Sequence, residues 1–162
     1  MTLYIVRHGK ARKGGKDRLR PLTQRGIRES RAAAEFLKRM RIQPTAIWHS
    51  DRVRAVQTAQ ILEGLQPTNG LIEQPEMGPA DPITPLIRLI ERSSGGMMIV
   101  GHLPHLGKLV SKLIKAGKSK EILQFTPSTV VILRRDEEKW VIDAVLPPSS
   151  TSAGDSSKEP KT

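Results

Sequence analysis

Short apolar runs alternate with longer amphipathic segments along most of this sequence. Three of the runs are continuous, which is typical of strands buried on both faces of a sheet. They lie at residues 3–6, 46–48 and 97–100. Residue 72 lies in a shorter extended piece. Two later runs, 130–133 and 140–146, flank a polar turn at residues 136–138, and this arrangement predicts a hairpin.

Between these runs, apolar residues recur at helical spacing and predict four amphipathic helices. The start of each helix is marked by a capping residue or by a proline that suits the first turn. The predicted starts are Thr23, Ser50 or Asp51, Asp81-Pro82, and Pro104. The first helix extends to about Arg41, and residues 64–70 form a loop after the second.

Apolar strands alternating with amphipathic helices predict an α/β fold in which helices cover both faces of a mostly parallel sheet. The C-terminal hairpin makes this central sheet mixed, so the expected architecture is a three-layer α/β/α sandwich. The 162 residues suit one hydrophobic core. We expect one domain over residues 1–146 and a disordered tail over residues 147–162, which are polar and rich in serine.

Composition limits the possible partners and chemistries. The net charge of +11, from 27 Lys and Arg against 16 Asp and Glu, favours anionic partners. Aromatic residues make up only 3% of the chain and no nucleic-acid-reading motif is present, so nucleic acid is not the expected partner. The absence of cysteine excludes disulfides and cysteine nucleophiles. We expect a cytoplasmic protein with no signal peptide and no membrane contact.

Three polar clusters follow predicted strands, where ligands bind in open α/β sheets. They are residues 7–9, 50–54 and 101–102. Together they offer two histidines and at least two arginines, and arginine presents a fixed fork of donors that matches phosphate oxygens. The sequence therefore predicts a phosphate site that includes a possible nucleophile.

The same clusters resemble the motifs of the histidine phosphatase superfamily. Arg7-His8-Gly9 resembles its RHG signature, and residues 50–59 (Ser-x-x-x-Arg-Ala-x-Gln-Thr-Ala) resemble its second arginine motif. Gly101-His102 resembles its second histidine motif, and residues 21–26 are similar to another stretch common in the family. The order and spacing are most similar to the small SixA-type phosphohistidine phosphatases. The resemblance covers about residues 1–146 and implies a phosphoglycerate mutase-like fold.

The resemblance implies catalytic roles for four residues. His8 attacks phosphorus and carries a transient phosphoryl group, while Arg7, Arg54 and His102 hold the phosphoryl oxygens. Because imidazole attacks through an unprotonated nitrogen, the other nitrogen of His8 must keep its proton, and we expect a backbone carbonyl near Gly9 to orient it. Repulsion from Arg7 and Arg54 should keep His8 neutral. His102 can become cationic once phosphate arrives.

Other residues are candidates for supporting roles. For the general acid, the candidates are Asp81, which also suits an N-cap before Pro82, and Glu76. A phosphohistidine substrate does not require a strong acid, because its leaving imidazole already carries a proton. Four residues are candidate substrate contacts, although the first role of Thr23 and Ser50 is helix capping. They are Gly9, Thr23, Ser50 and His105.

Several neighbouring patterns have simpler interpretations. His49 is expected to be half-buried at a strand end. His102 and His105 lack the further ligands that a metal site needs, so we expect no metal and no cofactor. Residues 10–20 carry six basic side chains and one acid, Asp17, which indicates either a solvated charge run or a surface that attracts an anionic substrate.

These observations support three hypotheses. The first is hydrolysis of phosphohistidine on a protein of the histidine phosphotransfer type, because a chain this short leaves few residues for a lid over the pocket. The second is hydrolysis of a small phosphomonoester by the same chemistry. The third is a non-catalytic module that binds phosphorylated or acidic proteins, although such a module does not need a nucleophile.

Overall fold

Six strands form one mixed sheet at the centre of the protein, whose computed structural model describes residues 1–117 and 123–151. The strands are β1 (Thr2–Arg7), β2 (Ala46–His49), β3 (Leu71–Glu73), β4 (Met97–Gly101), β5 (Val130–Asp136) and β6 (Lys139–Leu146). The helices are α1 (Gln24–Arg39), α2 (Val53–Leu62), α3 (Thr84–Arg92), α4 (His105–Leu113) and the short α5 (Pro148–Thr151).

The order of strands across the sheet is β3-β2-β4-β1-β5-β6. The first four are mutually parallel, whereas β5 pairs antiparallel with β1 and forms the predicted hairpin with β6. Because parallel neighbours end at the same edge, the residues that follow β2, β4 and β1 lie side by side. This edge carries the site described below.

Two hydrophobic clusters, one on each face of the sheet, hold the three layers together. Successive strand residues point to opposite faces, so Ile99 packs with α3 and α4 while Val100 packs with α1 and α2. All five residues of β4 are buried, as expected for a central strand covered on both sides. The predicted α/β sandwich with a mixed sheet is therefore confirmed.

Local hydrogen bonds explain where the helices begin. Thr23 is the N-cap of α1 as predicted, since its hydroxyl accepts from the Gly26 amide at 3.0 Å. Asp81 is not the N-cap of α3, because its carboxylate accepts from the Gly78 amide at 2.6 Å. It caps that earlier turn, and α3 begins only at Thr84, with Ile83 in the N-cap position.

The ends of other elements differ from the sequence predictions. The expected loop after α2 begins instead with a 3-10 turn, Glu63–Leu65, that buries Leu65. The short helix α5 lies beyond the expected domain boundary at residue 146. It packs against α1 and buries Thr151. Residues 152–162, most of the expected tail, lie outside the described residues. Within the described ranges, no helix is long and apolar enough to cross a membrane.

Candidate active site

The polar clusters that follow β1, β2 and β4 lie together at one edge of the sheet. Backbone hydrogen bonds continue the sheet pairing into them: the His8 amide donates to Gly101 O at 3.0 Å, and the Ser50 amide donates to Val100 O at 3.3 Å. The structure therefore brings together the predicted residues His8, Arg54 and His102. The side chain of His8 contacts the other two directly.

The hydrogen bonds of His8 identify which ring nitrogen carries the proton. Nδ1 lies 2.7 Å from the carbonyl oxygen of Gly9, which can only accept, so Nδ1 is the protonated nitrogen. Nε2 lies 3.3 Å from Nε of Arg54, which can only donate, so Nε2 carries the lone pair. The ring is 9% exposed. The nucleophilic atom of this histidine is therefore Nε2, and the predicted role of the Gly9 carbonyl agrees with its position.

The backbone at Gly9 is held in place by Thr58, a residue of α2. The Gly9 amide donates to the Thr58 hydroxyl at 3.0 Å, and that hydroxyl donates to the Arg54 carbonyl at 2.7 Å. A Cβ atom on Gly9 would lie 2.7 Å from Oγ of Ser30 and 2.9 Å from the Gly26 carbonyl. Only glycine fits here, and its amide and carbonyl both serve to position neighbouring side chains.

Arg54, at the start of α2, is almost fully buried and has most of its donors engaged. Besides its contact with His8, its Nη1 donates to the backbone carbonyl of Asp17 at 2.7 Å and its Nη2 to the Asp17 carboxylate at 3.3 Å. Arg52 also donates to that carboxylate, at 2.5 Å, and Arg20 bonds to its other oxygen. One carboxylate thus lies among three guanidinium groups, one of which contacts His8.

This role of Asp17 has little signal in the sequence. The residue is the single acid among the basic side chains of residues 10–20, and it is about half exposed at the mouth of the site. Its bond to Arg20 is the main reason that its pKa is lowered, and Arg54 contributes as well. Asp17 therefore stays ionised and keeps the arginines in place when no other anion is bound.

Arg7 is anchored by the segment that precedes β5. Its Nη1 donates to the carbonyl of Phe125 at 2.6 Å, and its backbone amide donates to Thr129 O at 3.1 Å. Its Nε is buried and has no hydrogen-bond partner among the described residues. Burial lowers the pKa of Arg7, but an arginine remains charged at any physiological pH. The side chain therefore retains a buried N–H that can donate to an oxygen of a bound anion.

His102 follows β4 and is 1% exposed. Its ring centroid lies 4.9 Å from that of His8, with the two planes tilted by 53°. Nε2 lies 2.8 Å from the hydroxyl of Ser50, and Nδ1 is buried with no partner in the part of the chain that the structure describes. Burial is the largest cause that lowers the pKa of His102, to about 2, followed by repulsion from His8 and Arg54. The free protein therefore holds this ring neutral.

Burial is also the largest cause that lowers the pKa of His8, to about 4. Repulsion from Arg54, Arg7 and Arg20 lowers it further, and the hydrogen bond to Gly9 opposes the change. From the sequence, repulsion from Arg7 and Arg54 was the expected reason for a neutral His8. The structure shows that desolvation has the larger effect, because the imidazolium would lose its hydration shell in this position.

Neither candidate general acid is hydrogen-bonded to His8 or Arg54 within the described ranges. Asp81 bonds to the Gly78 amide as described above, and Glu76 is exposed, with a left-handed backbone φ of 57°. Both line a polar cavity of about 330 Å³ that is shared with Arg18 and Arg52 on the side away from β1.

Three predicted contact residues have their polar groups engaged within the protein or removed from the surface. Thr23 accepts from Gly26 and donates to the Lys10 carbonyl at 3.1 Å. Ser50 bonds to His102. His105, a candidate substrate contact, is fully buried at the start of α4, so its side chain is not at the surface of the pocket.

The remaining histidine, His49, is buried rather than half-buried, and its Nδ1 lies 3.0 Å from the Ser50 carbonyl. In residues 1–117 and 123–151, no three His, Cys, Asp or Glu side chains are grouped as metal ligands. The site consists instead of imidazole and guanidinium groups, which suit a phosphate-sized anion.

Comparison with known proteins agrees with this arrangement. Residues 3–76 match the family described as histidine phosphatase superfamily (branch 1). The phosphohistidine phosphatase SixA of Escherichia coli is 29% identical over 143 residues, which are 85% of this chain and 87% of that protein. The matched family region includes Arg7, His8 and Arg54, and the SixA match extends over most of the fold.

Solved structures show the same likeness. The protein histidine phosphatase SixA complexed with tungstate superposes with a TM-score of 0.80 at 27% identity, over 92% of this chain and 98% of that one. A phosphoserine phosphatase from Entamoeba histolytica shares the fold, with a TM-score of 0.71 at 15% identity, over 89% and 95% of the two chains. The chain is therefore a phosphatase that is similar to the histidine phosphatase superfamily over residues 3–76 and to SixA over most of its fold.

Proposed function

We propose that this phosphatase removes the phosphoryl group from a phosphorylated histidine on another protein, through a phospho-His8 intermediate. The observation that carries the proposal is the state of His8. Its proton is held on Nδ1 by the Gly9 carbonyl, and its lone pair is on Nε2, beside Arg54 and His102. A neutral imidazole fixed in this tautomer is ready to attack phosphorus.

The reaction takes two displacements. In the first, the lone pair of His8 Nε2 forms a bond to phosphorus while the substrate's N–P bond breaks, and the electron pair of that bond stays on the substrate imidazole. In the second, water attacks phosphorus, the bond to Nε2 breaks, and the lone pair returns to His8. The water's proton leaves with the product, inorganic phosphate, or passes to solvent.

Binding of the phosphoryl group makes the nucleophile available. In the free protein the Nε–H of Arg54 points at the lone pair of His8, and the rest of its guanidinium bonds to Asp17. Phosphoryl oxygens are stronger acceptors than a neutral imidazole. The Nε–H of Arg54 therefore donates its hydrogen bond to a phosphoryl oxygen instead of to His8, and the lone pair of His8 becomes free to attack.

The surroundings of His8 suit an N–P bond better than an O–P bond. An alkoxide leaving group needs a proton from an acid, whereas a phosphohistidine ring that is protonated on its other nitrogen leaves as neutral imidazole. Asp81 is engaged by Gly78, and Glu76 is exposed in the neighbouring cavity. Of the two candidate acids, Asp81 is already bonded to a backbone amide, and this supports a substrate that needs no strong acid.

A protein substrate is supported by the surface around the site. The side chains that precede Arg20 in the loop of residues 10–20 are mostly exposed and basic, and this loop leads directly from His8. Such a rim attracts an acidic protein surface and increases the rate of encounter. The relative SixA is named a phosphohistidine phosphatase. The cytoplasmic location expected from the cysteine-free sequence remains a prediction.

The proposal is tested by comparing substrates. A phosphorylated histidine phosphotransfer protein and a panel of sugar phosphates and phosphoserine are offered at equal concentration, and release of inorganic phosphate is measured. We expect a kcat/KM at least about 100-fold higher for the phosphoprotein, which corresponds to about 3 kcal/mol of transition-state binding. A clear preference for the small molecules would support the phosphomonoesterase hypothesis instead.

The role of His8 is tested in the same reactions. Rapid acid-free quenching should trap acid-labile phosphate on the protein, and peptide mapping should locate it on His8. His8→Ala should lose turnover while its circular dichroism stays that of the wild type, and near-normal rates in this variant would refute the mechanism. Tight phosphoprotein binding with neither turnover nor a phosphoenzyme would indicate a binding module.

A further inference from the structure

Ser50 and His102 form a buried pair whose protons can be assigned by counting hydrogen bonds. Both residues are 1% exposed. The Ser50 hydroxyl lies 2.8 Å from Nε2 of His102, and it also accepts from the backbone amide of Arg52 at 3.3 Å. Nδ1 of His102 is buried, and no group within residues 1–117 and 123–151 is hydrogen-bonded to it. The neutral ring carries one proton, so it is on either Nε2 or Nδ1.

The two assignments leave different numbers of polar groups unsatisfied. If Nε2 of His102 donates to Ser50, the serine proton has no acceptor among the hydrogen bonds of the described residues, and the lone pair of Nδ1 has no donor. If Ser50 donates to Nε2, only the Nδ1–H lacks a partner. Each buried unsatisfied group costs about 1–3 kcal/mol, so the second assignment is the more stable one.

We propose that Ser50 is a positioning residue that sets the tautomer of His102 by donating its hydroxyl proton to Nε2. The proton of the ring is then on Nδ1, whose N–H is the one ring donor left for an oxygen of the transferred phosphoryl group. This inference rests on the proposed function, because it takes the phosphoryl group as the partner of that N–H. The opposite tautomer would present a lone pair, which repels the same oxygen.

The assignment makes the two histidines complementary. In His8 the Gly9 carbonyl binds Nδ1–H and leaves the lone pair of Nε2 free for attack. In His102 the Ser50 hydroxyl binds the lone pair of Nε2 and leaves Nδ1–H free to donate. Neighbouring groups thus fix both tautomers before substrate binds, one ring as nucleophile and the other as donor.

Two measurements test the inference. Long-range ¹H–¹⁵N correlation spectra of the wild-type protein, with His102 assigned by mutation, should show a protonated Nδ1 and an unprotonated Nε2. This experiment needs no substrate, so it is independent of the proposed function. A protonated Nε2 in His102 would overturn the inference even if the enzyme proves to be a phosphohistidine phosphatase.

The second measurement compares Ser50→Ala with Ser50→Thr, which keeps the hydroxyl. Ser50→Ala should reduce kcat about 10- to 100-fold, the range found for groups that orient metal-bound histidines, and its spectra should show proton density on Nε2. Ser50→Thr should recover most of the activity. Ser30→Ala removes another buried hydroxyl, bonded to Ser128 rather than to His102, and serves as the matched control.

The outcomes separate the two proposals. If the wild type acts on small phosphomonoesters but not on phosphohistidine, the proposed substrate fails, yet Ser50→Ala should still lower kcat on the accepted substrate. If kcat in Ser50→Ala equals that of Ser30→Ala, Ser50 is only structural. If Ser50→Ala does not fold, the wild-type spectra decide the question alone.

Discussion

The low pKa of His8 should let the enzyme stay active in mild acid, and kinetics at lower pH test this directly. Burial, the largest cause, lowers this pKa from 6.5 to about 4, and Arg54 and Arg7 lower it further by repulsion. Because the ring attacks only when Nε2 is unprotonated, the free enzyme should keep its nucleophile at pH values where an ordinary histidine has lost it.

The expected size of the effect follows from the pKa. At pH 5.5 a histidine with the ordinary pKa of 6.5 is only about one-tenth neutral, whereas one with a pKa of about 4 is more than about nine-tenths neutral. Between pH 7 and 5.5, kcat/KM should therefore fall less than about twofold for this enzyme, once ionisation of the substrate is corrected for. An unperturbed His8 would cost roughly tenfold.

The assay combines kinetics with a titration that does not depend on turnover. The carbon-bound ring proton of His8 is followed by NMR from pH 8 to pH 4, and its midpoint should lie far below that of an exposed histidine. Arg54→Gln removes one repulsive charge, so the midpoint should rise while staying below 6.5, since burial dominates. A wild-type midpoint near 6.5 would refute the reasoning.

The same shift predicts how stability depends on pH. In the unfolded chain His8 takes up a proton below about pH 6.5, whereas in the folded protein it resists protonation until about pH 4. The free energy of unfolding should therefore fall as the pH drops from 6.5 towards 4. At pH 5 the shifted pKa of His8 lowers the free energy of unfolding by about 2 kcal/mol. In urea unfolding, the loss of stability between pH 7 and pH 5 should therefore be smaller by about that amount in His8→Gln than in the wild type.

Two further substitutions test the surroundings of the site. Asp17→Asn removes the carboxylate that competes with phosphate for the active-site guanidiniums, so inorganic phosphate should inhibit about three- to tenfold more strongly. Asp51→Asn, at the exposed rim, is the control and should change inhibition by phosphate less than about twofold. Weaker inhibition by phosphate in Asp17→Asn than in the wild type would contradict the expected competition. Gly26→Ala places a Cβ atom 2.3 Å from the Lys10 carbonyl, so it should lower the free energy of unfolding by at least about 2 kcal/mol despite the helix propensity of alanine. Gly64→Ala, which meets no atom within 4 Å, is its control, and equal unfolding midpoints would be contrary to expectation.

Patterns within one segment predicted the fold well, because periodicity and capping are local properties. The continuous apolar runs became buried strands, and Thr23 capped α1 as its position before a helical pattern indicated. The predicted start of α3 was wrong, because the capping pattern ignored a competing contact nearby. Asp81-Pro82 is a good helix start in isolation, but the Asp81 carboxylate bonds to the preceding Gly78 amide, and this competes with capping.

Strand ends predicted which side chains meet, but they could not predict how the polar atoms pair. The ends of β2, β4 and β1 are neighbours in the sheet, so the convergence of the polar clusters follows from topology alone. Asp17 is 37 residues from Arg54, and Ser50 is 52 residues from His102. Whether such distant groups bond depends on loop conformation and on side-chain rotamers, neither of which leaves a periodic signal in the sequence.

Hydrogen-bond partners determine the protonation states that the chemistry needs. An imidazole and a guanidinium placed together are consistent with simple anion binding, because neither residue type specifies where the protons are. The Gly9 carbonyl can only accept a hydrogen bond and Arg54 can only donate one. In His8, Nδ1 therefore carries the proton and Nε2 carries the lone pair. A binding site has no use for that distinction, whereas a nucleophile requires it. The hydrogen-bond partners of His8 therefore argue for catalysis more strongly than the presence of the histidine itself.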